Sequence, residues 1–183
     1  MSKPATVIRN AANDPVADVY WGYWISDYNV SGPVAHDIEG GFHYIFSNDS
    51  FVGSVDISAQ TPIVFNLLQP SPLSSDQGVN PSLSLTGGFL VMQNSEVVAQ
   101  LTFLNGANPE TLTGNLSAAA LANLPEIQLI PGSTPTPGQI SSATVEGFFV
   151  GNQAEGIASW ITANKLIDLG LYERFQATAV FQR

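Results

Sequence analysis

Apolar and polar residues alternate with a period of two through most of this chain, and that period predicts strands. In "VADVYWGYWI", Val19, Trp21 and Tyr23 fall on one side and Tyr20, Gly22 and Trp24 on the other, which predicts a first strand over 16–25. "GGFHYIF" repeats the pattern, with Phe42, Tyr44 and Phe46 facing one way and His43 and Ile45 the other, and predicts a second strand over 41–47. "FVGSVDIS" alternates weakly, and "TPIVFNLLQ" is an apolar, β-branched run opened by a proline at a position that strands tolerate. "SLSLTGGFLVMQ" and "EVVAQLTFLN" are separated only by "NS", a connection of hairpin type, and Gly87-Gly88 predicts a bulge or a sharply coiled strand. "PEIQLI" reads as a short strand. "ATVEGFFVG" and "IASWITA" form a hairpin around "NQAEG", and "RFQATAVFQR" closes the chain with Phe175, Ala177, Ala179 and Phe181 alternating with Gln176, Thr178 and Val180.

One segment departs from this period. "LSAAALANL", with Ser117 as an N-cap and Pro125 as a stop, predicts a short helix. "PSPLSSDQGVNP" and "PGSTPTPGQISS" predict loops, because proline fixes φ and removes a backbone donor. Strands that follow one another at short intervals without alternating helices predict an all-β fold. The expectation is a single antiparallel β-barrel of about eight strands with that one short helix, closed because closure removes edges. The expected layout is an N-terminal arm over 1–15 and the barrel over 16–183.

Composition narrows the function classes. The chain has 183 residues, 44% hydrophobic and 11% charged, which fits one domain with a real core and argues against disorder. No apolar run approaches the roughly 20 residues of a spanning helix, so a soluble domain without a membrane span is expected. Fifteen Asp and Glu against five Lys and Arg give a formal net charge of -10. Nucleic acid and anionic membranes are therefore poor partners, since both are held by basic side chains. The absence of cysteine removes disulfides, thiolate catalysis, iron–sulfur clusters and Cys-type zinc sites. "MSKPATVIRNAANDP" has no apolar core of a signal peptide, so export would use another route or a leader lying upstream.

Candidate chemistry is sparse. "HDIEGGFH" places His36, Asp37, Glu39 and His43 within eight positions, a local set with metal-ligand chemistry. Equally, the first three fit a solvated loop while His43 takes a hydrogen-bonded place in its strand, and this is the reading adopted. Asp18, Asp27, Asp56, Glu146 and Glu155 could supply the two converging carboxylates of a glycosidase, but they are scattered among strand and turn positions. No G-x-S-x-G elbow is present. Trp21, Tyr23, Trp24, Phe42, Tyr44 and Phe46 read first as core or barrel girdle, with a ligand platform or a subunit interface as the alternatives. Gly147, Gly151 and Gly156 lack the Lys-Ser/Thr or helix start that a phosphate-cradling loop needs, so they read as strand bends and turn glycines, with Glu155 capping backbone amides at the turn.

The segment Gly147-Phe148-Phe149-Val150-Gly151-Asn152-Gln153-Ala154-Glu155-Gly156 is similar to the C-terminal G-x-F-x-G-x-x-A-E motif of transferrin-binding protein B-like β-barrels of Gram-negative bacteria. The chain also resembles the barrel domain found C-terminally in FecR-type and related surface proteins. There a "WGxW" strand (Trp21, Gly22, Trp24) precedes an "HY" strand (His43, Tyr44), and the chain ends on an aliphatic-Phe strand (Val180, Phe181). The resemblance runs from about residue 16 to the end and implies about eight antiparallel strands around a packed interior. It also implies that Trp21, Gly22, Trp24, His43, Tyr44, Gly147, Phe149, Gly151, Ala154 and Glu155 are structural motif residues. The chain lacks the lipid-anchor cysteine and a second handle domain, so transferrin binding is not carried over. Some relatives of such barrels are haemophores, for which His36 or His43 with Tyr28 or Tyr44 would be the ligands, but no feature selects haem and no cofactor is expected.

The expected function is thus a non-enzymatic barrel at the extracellular or outer-membrane surface of a Gram-negative bacterium, binding an unknown protein or surface ligand. A self-assembling scaffold subunit, which would make the chain a homo-oligomer, and a haem or small-ligand carrier are the alternatives.

Overall fold

The computed structural model describes residues 5–24, 28–30, 36–38, 42–75, 78–79 and 82–183. The first strands are β1 (Ala5–Arg9), β2 (Pro15–Trp24), the small pair β3 (Tyr28–Val30) and β4 (His36–Ile38), and β5 (Phe42–Ser47). The short β6 (Val55–Asp56) and β7 (Ile63–Pro70) follow, then a second small pair, β8 (Ser74–Ser75) and β9 (Gly78–Val79). The rest of the chain is β10 (Leu83–Gln93), β11 (Glu96–Asn105), β12 (Asn108–Ser117), the short β13 (Ala120–Leu121), β14 (Leu124–Pro131), β15 (Ile140–Val150), β16 (Gly156–Asp168) and β17 (Leu171–Gln182).

Eight of these close into an antiparallel barrel in the order β7, β10, β11, β12, β14, β15, β16, β17, with β17 pairing back onto β7. Sequence neighbours are spatial neighbours all the way round, so every connection is a hairpin or a short excursion. Asn94 and Ser95 both have positive φ, 53° and 61°, as the two-residue turn between β10 and β11 requires. The period-two pattern decides which side chains enter. Phe65, Phe103, Phe149, Phe175 and Phe181 lie fully buried inside, with Leu90, Met92 and Leu101 among them. Fully burying each contributes roughly 1.5–3 kcal/mol, and together they fill the interior.

Two features differ from the sequence expectations. The predicted helix at 116–124 does not form, and among the described residues there is no helix. Ser117 instead ends β12, the Ala118 amide donates to the Ser95 carbonyl at 2.9 Å, and Ala120–Leu121 pair with β6. Nine residues are too few for a helix to be stable alone, whereas the extended path buries Leu121 and Leu124 in the barrel. Second, "NPETLTGNLS" is a full barrel strand, β12, paired along its length with β11. Of its side chains only Leu112 is buried, so it carries almost no hydrophobic signal. Its neighbour β14 approaches so closely that a Cβ on Gly114 would collide with the Gln128 carbonyl.

The N-terminal part forms a separate sheet, ordered β1-β2-β5. It lies against the outside of the barrel, with Ile8, Ala17, Val19, Trp21 and Ile45 packed on Val150, Ala158 and Val180. The strands expected over 16–25 and 41–47 are therefore β2 and β5 of this sheet, and the barrel wall itself begins at Ile63.

Candidate functional site

The seam between sheet and barrel holds most of the buried polar chemistry. Alternation on β2 and β5 turns Val19, Trp21, His43 and Ile45 toward the barrel. Trp21 Nε1–H donates to Thr6 Oγ1 at 2.9 Å, and Thr6 Oγ1 donates on to Gln69 Oε1 of β7 at 3.1 Å. His43, buried, sits between two serines, with Nε2 2.5 Å from Ser74 Oγ and Nδ1 3.2 Å from Ser71 Oγ. Ser71 Oγ–H donates to the Pro72 carbonyl at 3.1 Å and its oxygen accepts the Thr178 amide at 2.9 Å. Its single proton is committed, so the network assigns His43 the Nδ1–H tautomer, with Nε2 accepting from Ser74. The Tyr23 ring stacks on the imidazole with centroids 5.7 Å apart.

Burial without a counter-charge pushes the His43 pKa down to about 4, so the ring is neutral at neutral pH. With both nitrogens occupied it offers no lone pair to a metal or haem iron. The Ser74–His43 contact has the form of a nucleophile–base pair, yet Ser71 occupies the place of an orienting carboxylate and all three side chains are buried. The arrangement works as a joint. Beside it Thr178 Oγ1 is buried with no hydrogen-bond partner among the described residues. A Thr178→Val substitution keeps the shape and removes that cost, so it is expected to raise stability by about 1 kcal/mol in urea unfolding at pH 7; a loss of similar size would mean that the hydroxyl is satisfied.

At the β15–β16 hairpin, Gly147 faces the Ala158 carbonyl so closely that any Cβ would collide with it. Gly151 has a φ of 86° and Ala154 one of 56°. Glu155, buried, accepts the Gln153 amide through Oε2 at 2.9 Å, while its carbonyl accepts the Arg183 amide at 2.9 Å. These residues shape the turn and tie down the end of β17.

The face of the sheet turned away from the barrel is aromatic. Tyr20 and Phe46 are ladder partners whose rings stack with centroids 5.1 Å apart and planes 16° apart, and Tyr44 continues the stack at 6.3 Å from Phe46. Tyr44 lies over Gly22, where a Cβ would come within 2.5 Å of its hydroxyl. Phe46 is 43% exposed. Trp24 stands opposite Phe42 in the same ladder; the placement of both side chains lies outside the described residues.

The structure does not assemble the other sequence candidates. The side chains of Tyr28, His36 and Asp37, and all of Asp27 and Glu39, lie outside the described residues, among which no group of three or more His, Asp or Glu converges on a metal site. Asp18 is on β2, Asp56 on β6, Glu146 on β15 and Glu155 in the following turn, four separate elements. The Asp56 carboxylate, fully exposed, accepts the Ser58 amide and hydroxyl, which lower its pKa. Ser71, Ser74 and Thr178 did not stand out in the sequence, because their link to His43 crosses 28 residues or more. No protein-family model matches this chain, and no curated protein matches it.

Proposed function

We propose that this chain is a non-enzymatic binding module of the transferrin-binding protein B-like barrel kind, displayed at the surface of a Gram-negative bacterium and recognising its partner with outward-facing surfaces. The observation that carries the reading is the contrast between inside and outside. The barrel interior is filled with phenylalanine and aliphatic side chains, which speaks against a carried ligand. The outer face of the N-terminal sheet presents an ordered stack of Tyr20, Phe46 and Tyr44. Such rings supply contact area at low cost in side-chain entropy, and aromatics recur among residues that dominate interfaces. The His43 joint fixes that sheet on the barrel.

The test is binding of the labelled chain to outer-membrane and secreted fractions, comparing wild type with a Tyr20→Ser/Phe46→Ser double variant. Saturable binding weakened about tenfold or more by the double change, with melting unchanged, is expected. Equal binding by the variant would move the site elsewhere. Turnover of an ester, peptide or glycan substrate that disappears on Ser74→Ala would replace the reading with an enzymatic one. Light scattering covers the remaining case, since concentration-dependent association abolished by the same double variant would identify the face as a self-assembly surface.

A further inference from the structure

On the barrel's outer wall, beside the docked sheet, β15 and β16 set three side chains together. Outward positions alternate along a strand, so Glu146 and Phe148 of β15 share the wall with Trp160 of β16. Glu146 stands directly opposite Trp160 in the ladder, a placement that brings Cβ atoms to about 5 Å. Phe148 tilts against the indole with ring centroids 5.9 Å apart and planes at 51°. Asn123 and Leu124 close the third side of a groove of about 400 Å³. The register of β14 jumps from Leu124↔Gly147 to Ile127↔Val145, so the β14 ladder is interrupted beside Glu146. Trp160 is 38% exposed in this setting.

Two tilted π faces, one carboxylate, one amide and no basic lining residue complement a cation that carries its charge beside apolar surface. We propose that the groove takes an arginine or lysine side chain from a basic partner polypeptide. The indole face attracts the cation and Glu146 accepts a charge-assisted hydrogen bond from it. The net charge of -10 steers basic partners toward the wall. A neutral sugar could also stack on Trp160 and donate hydroxyls to Glu146, but it brings no positive charge to offset the carboxylate or to meet the indole face.

The probes are labelled hexa-arginine and hexa-lysine peptides titrated into the full chain and followed by fluorescence anisotropy at low and moderate salt. Trp160→Leu keeps the net charge and the apolar contact with Phe148 but removes the π face, and it is expected to weaken binding about tenfold. Glu146→Gln is expected to weaken it several-fold and to flatten the salt dependence, whereas Asp168→Asn, the same change of charge at the far hairpin tip, leaves it within about twofold. In the wild type the Trp160 indole N–H resonance, assigned by its absence in Trp160→Phe, shifts on adding peptide. Trp160→Leu binding as tightly as wild type, or an unmoved indole resonance, overturns the proposal in favour of general acidity. Trp160-dependent, salt-independent binding of cellohexaose overturns it in favour of a saccharide site. The Tyr20→Ser/Phe46→Ser variant keeps its peptide affinity, so this site and the aromatic sheet face stand or fall separately.

Discussion

Replacing Phe149 with alanine is expected to destabilise the protein by about 3–5 kcal/mol. Phe149 is fully buried on the barrel's inner surface, one residue before the end of β15, with Phe65 at 6.2 Å across the interior and Phe51 edge-on at 6.5 Å. Its backbone also holds the chain that crosses from the sheet into the barrel, because the Phe149 carbonyl accepts the Phe51 amide at 3.0 Å. Truncation therefore removes the transfer free energy of a ring and leaves a void bounded by strands that are hydrogen-bonded on both sides and cannot collapse into it. Against the roughly 5–15 kcal/mol total of a typical domain, that is a large fraction. Phe148→Ala, one residue along and partly buried on the outer wall, where it packs at the edge of the sheet–barrel seam, provides the contrast and is expected to cost less. In urea unfolding, the midpoint of Phe149→Ala should fall while the slope stays constant. A loss below about 1 kcal/mol would mean that the interior is loosely filled, and a ligand-carrying barrel would then regain its standing.

The barrel was legible wherever apolar residues alternate strongly, and obscure where pairing alone makes the strand. β10, β11, β15 and β16 announce themselves because buried Leu, Val, Ile, Phe, Met or Ala recurs at every second position along much of each strand. The polar β12 is held by a complete ladder with β11 and by little else. A backbone ladder is invisible to composition. The alanine run at 118–122 misleads for the complementary reason, since alanine favours a helix only when nothing better is on offer, and here β6 and the barrel floor provide backbone partners and a place for Leu121. Alternation also assigned the faces of β2 and β5 correctly while leaving open what each face meets. Whether Trp21 enters a barrel or covers one depends on contacts with Val150, Ala158 and Val180, more than a hundred residues away. His43 shows the same limit at the level of chemistry. Its hydrogen-bonded strand position could be read from alternation, but its serine partners come from a loop read as proline punctuation and could not.

Acidification is expected to weaken the protein through His43 by up to about 3 kcal/mol between pH 6.5 and pH 4. The folded-state pKa lies at about 4 against an ordinary value of 6.5, and each pKa step corresponds to about 1.36 kcal/mol. Above pH 6.5 the ring is neutral in both states and costs nothing. As pH falls below 6.5 the unfolded chain takes up a proton that the folded chain refuses, so the unfolded state is favoured and stability drops with each step toward pH 4. Below that both states are protonated and the loss levels off. Every other ionisable side chain is common to wild type and His43→Gln, so the informative quantity is the difference between the two. His43→Gln keeps an amide able to bond one of the flanking serines and carries no titrating group. It is expected to be less stable at pH 7 and to converge with wild type, or overtake it, toward pH 4.5. Parallel curves for the two proteins would show that His43 does not govern acid sensitivity. Because the ring is clamped between β5 and the segment carrying Ser71 and Ser74, the first structure to yield should be the seam itself. Trp21 emission and amide exchange on β1, β2 and β5 are then expected to change at a higher pH than the far-ultraviolet signal of the barrel. Loss of both signals together would mean that the sheet and the barrel unfold as one unit.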